Sequence, residues 1–229
     1  MTKAINQYGD KLAPTTGKHG SNISEQRIDD LDQACLTFVK ERIAQGLPCQ
    51  AVDIGCGSGA QSKRMADLGA SVFMADLTDQ QQLAAAYNAK AGRVALRFIQ
   101  RDIREIMPET WPQTLDCVYT QRMLGALPYR DALQLMTFLK SRAAPDAHFF
   151  VSASGYDAEY QNGYPDKDKP VEERWALLDP AIGAKHNVLI PQCLYRASEL
   201  AQMLEKAGLT VERFWTSPFG NPKVIARML

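Results

Sequence analysis

The stretch Ala51-Val-Asp-Ile-Gly-Cys-Gly-Ser-Gly-Ala60 decides the fold of this chain. An apolar run that contains Asp53 ends in three glycines at alternate positions. Glycine lacks a Cβ atom, so it adopts left-handed backbone angles readily and lets a ligand approach the main chain closely. A buried strand that leads through such a turn into a helix is typical of nucleotide-binding sites. The stretch therefore predicts a nucleotide cofactor, and the identity of that cofactor determines the function.

Strand-like and helix-like segments alternate around this turn. Strands are predicted at 50–54, 71–76, 94–100, 115–120 and 147–152, and helices at 59–68, 79–91 and 129–142. This alternation favours a parallel sheet that helices cover on both faces, which is a three-layer α/β sandwich. A predicted helix at 197–207 precedes two predicted strands at 209–216 and 223–229. The turn-rich link between those strands predicts a hairpin that adds an antiparallel C-terminal strand.

The remaining segments divide the chain into two predicted parts. Residues 1–45 form an N-terminal arm and an amphipathic helix that opens at Ser24, and we expect this part to act as a lid over the site. Residues 46–229 form the nucleotide-binding domain, with an aromatic-rich insert at about 153–195. Loops on a rigid sheet concentrate function, so we expect the arm and the insert to build the substrate pocket.

Composition and charge disfavour several classes of function. The 229 residues include 26 Lys plus Arg and 26 Asp plus Glu, so no overall charge attracts a polyanion. Apolar runs are too short for a membrane span, and the N-terminus lacks the apolar core of a signal peptide. We therefore expect a cytoplasmic protein without a membrane partner. The five cysteines are dispersed and form no CxxC pair, which argues against a metal site.

Two classes of cofactor fit the glycine turn. The turn also satisfies the relaxed dinucleotide pattern, and Asp76 lies about twenty residues downstream, where a ribose-binding acid is expected. A nicotinamide- or flavin-dependent oxidoreductase is therefore an alternative. Asp53 argues against it, because the dinucleotide fingerprint prefers an apolar residue in the strand. Asp102 followed by Ile103, after the third predicted strand, suits an adenine amine and the face of its ring.

Four motifs together resemble those of the class I S-adenosylmethionine-dependent methyltransferases. They are Val52-Asp-Ile-Gly-Cys-Gly-Ser-Gly59, Met74-Ala-Asp-Leu77, Arg101-Asp-Ile103 and Leu115-Asp-Cys-Val-Tyr-Thr-Gln-Arg-Met-Leu124, and the likeness covers roughly residues 30–229. The resemblance implies a Rossmann-like, mostly parallel seven-stranded sheet with a reversed last strand. It also implies S-adenosyl-L-methionine as the cofactor and methyl transfer of the EC 2.1.1 type by in-line displacement to an O, N or S atom.

The cofactor contacts that the resemblance implies all lie at the carboxyl edge of predicted strands or just past it. Asp76 would hold both ribose hydroxyls, because a carboxylate offers two acceptor oxygens. Asp102 would accept a hydrogen bond from the adenine amine. The remaining contacts are the methionine cradle (Asp53, Gly55, Cys56, Gly57 and Gly59), the adenine ring (Leu77 and Ile103) and the border of the methyl-transfer pocket (Gln121). Asp53 would either organise the turn or face the cofactor's ammonium group.

Methyl transfer from a sulfonium needs a general base only if the acceptor must lose a proton, so no universal catalytic residue is expected. Arg122 is a candidate to grip an anionic acceptor, or to form a structural salt bridge. Tyr156 would line an aromatic pocket or pack the insert, and His186 would act as a base or stand in solvent. In the arm, Tyr8 or Lys18 would close over the cofactor or belong to a frayed terminus.

The motifs after the fourth predicted strand indicate the acceptor class. Thr120-Gln-Arg-Met123 stands where amino-methylating DNA enzymes carry an Asp- or Asn-Pro-Pro-aromatic motif. A cytosine C5 enzyme needs a Pro-Cys nucleophile, and the pair Pro48-Cys49 lies upstream of the first strand, which is the wrong place for it. We therefore expect no DNA substrate. Leu124–Pro128 lacks the histidine of many small-molecule members, which leaves the acceptor atom open. A small molecule is favoured by the balanced charge and the aromatic insert. The alternatives are an RNA or protein substrate, an oxidoreductase, and a catalytically silent binding module; the oligomeric state is not predicted.

Overall fold

Seven strands form one sheet in the computed structural model, which describes residues 25–105 and 107–228. The strands are β1 (Gln50–Ile54), β2 (Ser71–Asp76), β3 (Leu96–Gln100), β4 (Leu115–Thr120), β5 (Ala143–Ser152), β6 (Thr210–Thr216) and β7 (Pro222–Arg227). Their spatial order is β3-β2-β1-β4-β5-β7-β6. β1 to β5 pair in parallel, whereas β7 runs antiparallel to both of its neighbours. The predicted mostly parallel sheet with a reversed last strand is confirmed.

Helices cover both faces of this sheet. They are α1 (Asp30–Ala44), α2 (Ala60–Asp67), α3 (Gln81–Ala91), α4 (Tyr129–Ser141), α5 (Pro180–His186) and α6 (Ala197–Lys206). Successive residues of a strand point to opposite faces, so Val118 of β4 packs in one core with α4 and α6 while Cys117 and Tyr119 pack in the other with α1 to α3. All of β4 is buried. Burial on both faces explains why the central strands are near-continuous apolar runs.

α1 begins later in the chain than predicted. Asp29 is the N-cap: its carboxylate accepts hydrogen bonds from the main-chain nitrogens of Leu31 and Asp32 at 2.9 and 3.0 Å. In the opposite direction, the carboxylate of Asp32 accepts a hydrogen bond from the main-chain nitrogen of Asp29 at 2.8 Å. This capping box satisfies nitrogens that a helix start leaves unpaired. The prediction that the helix opens at Ser24 was wrong because the stronger cap lies five residues downstream.

The described part of the predicted N-terminal lid belongs to the sandwich itself. Leu31, Cys35 and Val39 of α1 are fully buried and pack against the sheet. Residues 1–24, which include Tyr8 and Lys18, lie outside the described residues. The lid function of the arm and the two-part division of the chain therefore stay predictions.

The insert after β5 forms a small core of its own. Its buried side chains are Tyr156, Tyr164, Leu178, Val188 and Leu194. It contains α5, which the sequence interpretation placed in a loop; Asp179 caps this helix, and Asn187 ends it in the left-handed conformation. The helix has only seven residues, too short for a clear apolar periodicity. The insert is thus a packed cap on the sheet.

β5 also differs from its prediction, since it begins at Ala143 and not at 147. Pro145 and Asp146 suggest a turn in the sequence, but both lie within the strand. A register shift between Leu115 and Cys117 in the pairing of β4 with β5 accommodates them. Tertiary pairing thus overrides the local turn preference.

Membrane-spanning helices, metal clusters and the state of the cysteines bear on the class of protein. No helix among them is both long enough and apolar enough to cross a bilayer. Among residues 25–105 and 107–228, no group of three His, Cys, Asp or Glu side chains is arranged to hold a metal ion. All five cysteines are buried free thiols. Burial raises the pKa of Cys49 to about 12, so this thiol is protonated at neutral pH.

Candidate functional site

The glycine-rich turn joins β1 to α2 at the carboxyl edge of the sheet. Gly55, Gly57 and Gly59 have φ angles of 69°, 53° and 67°, which favour glycine. A Cβ atom on Gly55 would lie 2.6 Å from the Cβ of Met123, and one on Gly59 would lie 2.8 Å from Cε of Met74. A Cβ atom on Gly57 would meet nothing within 4 Å. Packing therefore requires two of the glycines, whereas Gly57 faces open space into which a ligand fits.

Asp76, at the end of β2, lies against this turn. One carboxylate oxygen accepts a hydrogen bond from the nitrogen of Gly57 at 2.8 Å, and the other accepts from the nitrogen of Thr78 at 2.8 Å. These bonds fix the carboxylate beside the open space at Gly57. Each oxygen keeps a further lone pair for a hydroxyl donor. The fold thus brings together two of the residues that the sequence interpretation assigned to the cofactor, Gly57 and Asp76.

Asp53 is buried beneath the turn. Its carboxylate accepts a hydrogen bond from the Ser62 hydroxyl of α2 at 2.5 Å. Burial raises the pKa of Asp53 to about 7, against the opposing effect of the Ser62 hydrogen bond, and the nearby charge of Asp76 adds to the increase. A carboxyl with this pKa carries a proton in much of the protein near neutral pH. The geometry favours the organising role of Asp53 over direct contact with an ammonium group. The neighbouring Cys56 is buried too, and its main-chain nitrogen and oxygen bond to Ala75 and Gly59, so a cofactor contact of Cys56 stays a prediction.

Of the three predicted adenine contacts, one is exposed and two already contact other parts of the protein. Leu77 is 46% exposed and offers an apolar surface directly after Asp76. Ile103 packs instead against the core. Asp102 pairs with the guanidinium of Arg104, with the two nearest oxygen–nitrogen distances at 2.5 and 2.9 Å. Sequence reasoning missed this ion pair, so an adenine amine would have to share the Asp102 carboxylate with Arg104.

A concave region, which we call the polar cleft, lies past the ends of β4 and β5. It holds about 380 Å³ of space open to solvent. Its lining residues are Arg27, Asp29, Asp32, Gln121, Arg122, Ser152, Ser217, Phe219, Asn221 and Lys223. The segment before α1, the ends of β4 and β5, and the β6–β7 turn each contribute some of these. The packing of Met123 against Gly55 puts the wall that follows β4 next to the glycine turn.

A buried ion-pair network supports one wall of the polar cleft. Lys223 is 3% exposed, and its ammonium group bonds to Asp29 at 2.7 Å and also to Asp30. The amide nitrogen of Gln121 donates to Asp29 at 2.7 Å. A buried ammonium group needs such partners, because removal from water is costly. Gln121 therefore borders the cleft through contact with the cap of α1.

Arg122 and Ser152 lie side by side on the neighbouring ends of β4 and β5. Arg122 has a φ angle of 61°, a conformation rare for a residue with a side chain, and its nitrogen donates to the Ser152 carbonyl at 3.0 Å. Within the described part of the chain, the Arg122 guanidinium forms no ion pair with an acid. The hydroxyl of Ser152 is buried and has no hydrogen-bond partner among the described residues. The salt-bridge alternative for Arg122 is therefore not observed in this part of the chain.

Tyr156 packs inside the insert and does not line the polar cleft. Its hydroxyl donates to the carbonyl of Lys167 at 3.1 Å. The guanidinium carbons of Arg174 and Arg196 lie 4.7 and 3.7 Å from the centre of its ring. Glu199 bonds to both arginines, at 2.7 and 3.1 Å. These contacts fasten the insert to α6, so they favour packing of the cap over a catalytic role.

His186 lies at the end of α5 and is likewise absent from the cleft lining. Its Nε2 atom is 2.8 Å from a carboxylate oxygen of Glu159, whose other oxygen accepts from Lys185 at 2.5 Å. Tyr160 meets the imidazole edge-on, with ring centres 5.0 Å apart. The charge of Arg122 acts to lower the pKa of Tyr160, although burial has the larger effect and raises it. His186 is therefore a partner of Glu159, and a role as general base stays a prediction.

Sequence reasoning missed the cleft residues that come from the segment before α1 and from β7. Lys223 was detectable as a charged residue that precedes the apolar run Val224–Ala226. Asp32 was detectable as the third residue after Asp29, the spacing of a capping box. Asp32 is buried and accepts a hydrogen bond from the hydroxyl of Tyr119. Burial, together with the charge of Asp29, raises the pKa of Asp32.

Comparison with known proteins agrees with this geometry. A family model described as a methyltransferase domain matches residues 23–213. The ubiquinone biosynthesis O-methyltransferase of Xanthomonas campestris pv. campestris (strain B100) is 29% identical over 129 residues, which are 56% of this chain and 52% of that protein. The protein of the same name from Saccharophagus degradans is 25% identical over 192 residues, 81% of this chain and 73% of that protein. The chain thus spans about half the length of the first of these relatives.

A solved structure also shares the fold. The 1,6-didemethyltoxoflavin-N1-methyltransferase of Burkholderia thailandensis, crystallised with 1,6-didemethyltoxoflavin and S-adenosylhomocysteine, aligns with a TM-score of 0.59. The alignment covers 87% of this chain and 78% of that one, with 17% sequence identity. At this identity the likeness establishes the architecture only, so residue roles rest on the geometry described above.

Proposed function

We propose that this chain, which belongs to the class I S-adenosylmethionine-dependent methyltransferases, transfers the methyl group of S-adenosyl-L-methionine to a small molecule. The observation that supports this most is the open space beside Gly57, with the carboxylate of Asp76 fixed 2.8 Å from the nitrogen of Gly57. Main-chain approach and a fixed acid are what the methionine and ribose parts of this cofactor require. The family supplies the class of chemistry; the acceptor is our inference.

In this proposal the glycine turn and the strand ends contact different parts of the cofactor. Gly57 and its neighbours contact the methionine part, and Asp76 accepts from the ribose hydroxyls. Leu77 packs on the adenine ring, and Asp102 accepts from its amine while bonded to Arg104. The open space at Gly57, the lone pairs of Asp76 and the exposure of Leu77 support these roles.

The protein's contribution to the reaction is to hold the acceptor in line with the activated methyl carbon, which the cofactor supplies when bound. The polar cleft is the candidate acceptor site, because its wall after β4 packs on the glycine turn through Met123. We place the acceptor there and assign Gln121 and Arg122 to its border.

A hydroxyl oxygen is the acceptor atom that we propose first, since the curated relatives are named O-methyltransferases. The solved neighbour methylates a nitrogen according to its name, so nitrogen is the second choice. No observation specifically favours RNA or protein as the substrate. Cytoplasmic location and the lack of a DNA or membrane partner stay predictions of the sequence.

Transfer of a labelled methyl group tests the proposal. The protein is incubated with methyl-labelled S-adenosylmethionine and a cell extract that has been separated into small-molecule, RNA and protein fractions. We expect label to enter the small-molecule fraction, and we expect the Asp76→Ala variant to lose this transfer. Label that enters only RNA or only protein would overturn the acceptor class, and no label in any fraction would overturn the activity.

A further inference from the structure

The charges of the polar cleft are unevenly compensated. Lys223 has two acids, Asp29 and Asp30, as direct partners. The guanidinium carbon of Arg27, another lining residue, lies 4.1 Å from the centre of the Phe219 ring. The Arg122 guanidinium has no acid partner within residues 25–105 and 107–228, as described above. An anion that enters the cleft would therefore gain a cation without displacing an existing carboxylate.

The Arg122 backbone is held in a conformation that an ordinary residue adopts at a cost. A φ of 61° lies in the left-handed region, which is unfavourable for a residue with a side chain. The hydrogen bond from its nitrogen to the Ser152 carbonyl, 3.0 Å long, maintains the position. A glycine would fit this backbone without strain, so the presence of an arginine here points to a use for its side chain.

Ser152 provides an independent observation at the same place. Its side chain is 1% exposed, lines the cleft, and leaves its hydroxyl without a hydrogen-bond partner among the described residues. Burial of a hydroxyl without a partner is costly, because the group loses its hydrogen bonds to water. A ligand oxygen would remove this cost. β4 and β5 pair Thr120 with Val151, so Arg122 and Ser152 follow at neighbouring positions of adjacent strand ends.

The two groups together select a chemical class. A guanidinium presents parallel N–H donors in a planar fork that matches two oxygens of one carboxylate, and it cannot lose its charge. A serine hydroxyl adds one more donor. We propose that the acceptor carries a carboxylate group, and that Arg122 and Ser152 bind it in the polar cleft. This inference rests on the proposed function and names the substrate class of the same site.

Binding to the protein loaded with S-adenosylhomocysteine tests the inference. Calorimetry first measures the affinity for S-adenosylhomocysteine, and then, at saturation, the affinities for 3,4-dihydroxybenzoate and for the neutral 3,4-dihydroxybenzamide. The two probes differ in charge but hardly in shape. We expect the acid to bind at least about tenfold more tightly than the amide. A tenfold ratio of affinities is at the low end of what a charge-assisted hydrogen bond contributes.

Variants assign the preference to the residues. Arg122→Gln is expected to lower the affinity for the acid to that for the amide, while the affinity for S-adenosylhomocysteine stays unchanged. Arg122→Lys is expected to restore part of the preference for the acid. Ser152→Ala is expected to lower the affinity for the acid by a smaller factor than Arg122→Gln. Arg130→Gln, which removes an exposed cation from α4, is the matched control and is expected to change neither affinity.

Three results would overturn the inference: equal affinities for acid and amide, no binding of either probe, or an unchanged preference in Arg122→Gln. A fourth is loss of S-adenosylhomocysteine affinity in Arg122→Gln with the acid preference intact, which would assign Arg122 to the cofactor. If the wild-type protein does not bind S-adenosylhomocysteine at all, the proposed function fails as well. The first titration therefore separates the two failures.

Discussion

The glycine turn and the polar cleft lie next to each other on the same edge of the sheet, yet the chain builds them in different ways. The turn and Asp76 come from two consecutive strand ends, β1 and β2, which pair directly. The cleft is assembled from four segments that extend from Arg27 to Lys223. The glycine turn is thus determined by local motifs, whereas the polar cleft depends on tertiary contacts.

This difference also appears in the forces that hold the two regions. At the turn, main-chain angles and hydrogen bonds to Asp76 fix the geometry. At the cleft, a buried lysine with two acids joins β7 to the start of α1. We therefore expect mutations at the cleft to affect stability and acceptor binding more than cofactor binding, and mutations of Gly57 and Asp76 to affect cofactor binding more than stability.

The largest expected effect is on stability, from Lys223→Met. Removal of the ammonium group leaves Asp29 and Asp30 near each other without their partner, and loss of one member of a buried ion pair typically costs about 3–5 kcal/mol. We expect the free energy of unfolding to fall by about this amount in denaturant titrations. Lys206→Met is the control, because Lys206 forms an exposed pair with Glu172; its change is expected to stay below about 1 kcal/mol. Equal effects of the two substitutions would break the comparison.

The next effect is on cofactor affinity, from Asp76→Ala. The substitution removes a carboxylate that would accept two charge-assisted hydrogen bonds, each worth about 1.5–3 kcal/mol. We expect the affinity for S-adenosylhomocysteine to fall by about a hundredfold or more in calorimetry, while circular dichroism shows a folded protein. Asp76→Asn keeps one acceptor oxygen and should lose less. Unchanged affinity in a folded Asp76→Ala variant would remove Asp76 from the site.

Two glycines of one turn offer a matched pair. Alanine at either Gly55 or Gly57 must adopt a left-handed angle, at a cost of about 1–2 kcal/mol. Only at Gly55 does the new Cβ also collide with Met123, so we expect Gly55→Ala to lower the melting temperature more than Gly57→Ala. Gly57→Ala should instead weaken S-adenosylhomocysteine binding in a protein that stays folded. If the two variants lose stability equally and both bind as before, the open space at Gly57 is not a ligand site.

A further expected effect is a pH dependence of stability from Asp53. Its pKa is about 7 in the folded protein, against about 4 when unfolded, so the folded state binds this proton more tightly between those values. Stability from this group is therefore present at low pH and is lost as pH rises toward about 7, by at most about 1.4 kcal/mol per pH unit. Asp53→Asn should lack this component. The free energies of unfolding of both proteins between about pH 5 and 7 measure it, and parallel curves would refute it.

The sequence predicts the sheet and the meeting of Asp76 with the glycine turn well, for a physical reason. Parallel strands bring their carboxyl ends to one edge, so the acid that ends β2 must lie near the glycine turn that follows β1. Motif and place therefore coincide for Gly57 and Asp76. The same argument placed Asp102, but it could not detect that Arg104 occupies its carboxylate, because that pair depends on side-chain conformations in a loop.

The acceptor half was predictable only in part. Gln121 and Arg122 follow β4 directly, and the strand pattern located them. Tyr156 and His186 were chosen for their residue types, and the insert uses both in its own packing instead. Ser152 and Lys223 joined the site only through the pairing of β5 with β7, a contact between segments about seventy residues apart that no local pattern reports.

The central claim is that the turn beside Gly57 and Asp76 binds a sulfonium cofactor and not a dinucleotide. A thermal-shift assay with S-adenosylhomocysteine and, separately, with NAD measures this directly. At about a hundredfold excess over its dissociation constant, a ligand of the native state should raise the melting temperature of a protein of this size by about 5–10 °C. We predict that increase with S-adenosylhomocysteine and none with NAD. An increase with NAD and none with S-adenosylhomocysteine would contradict the account.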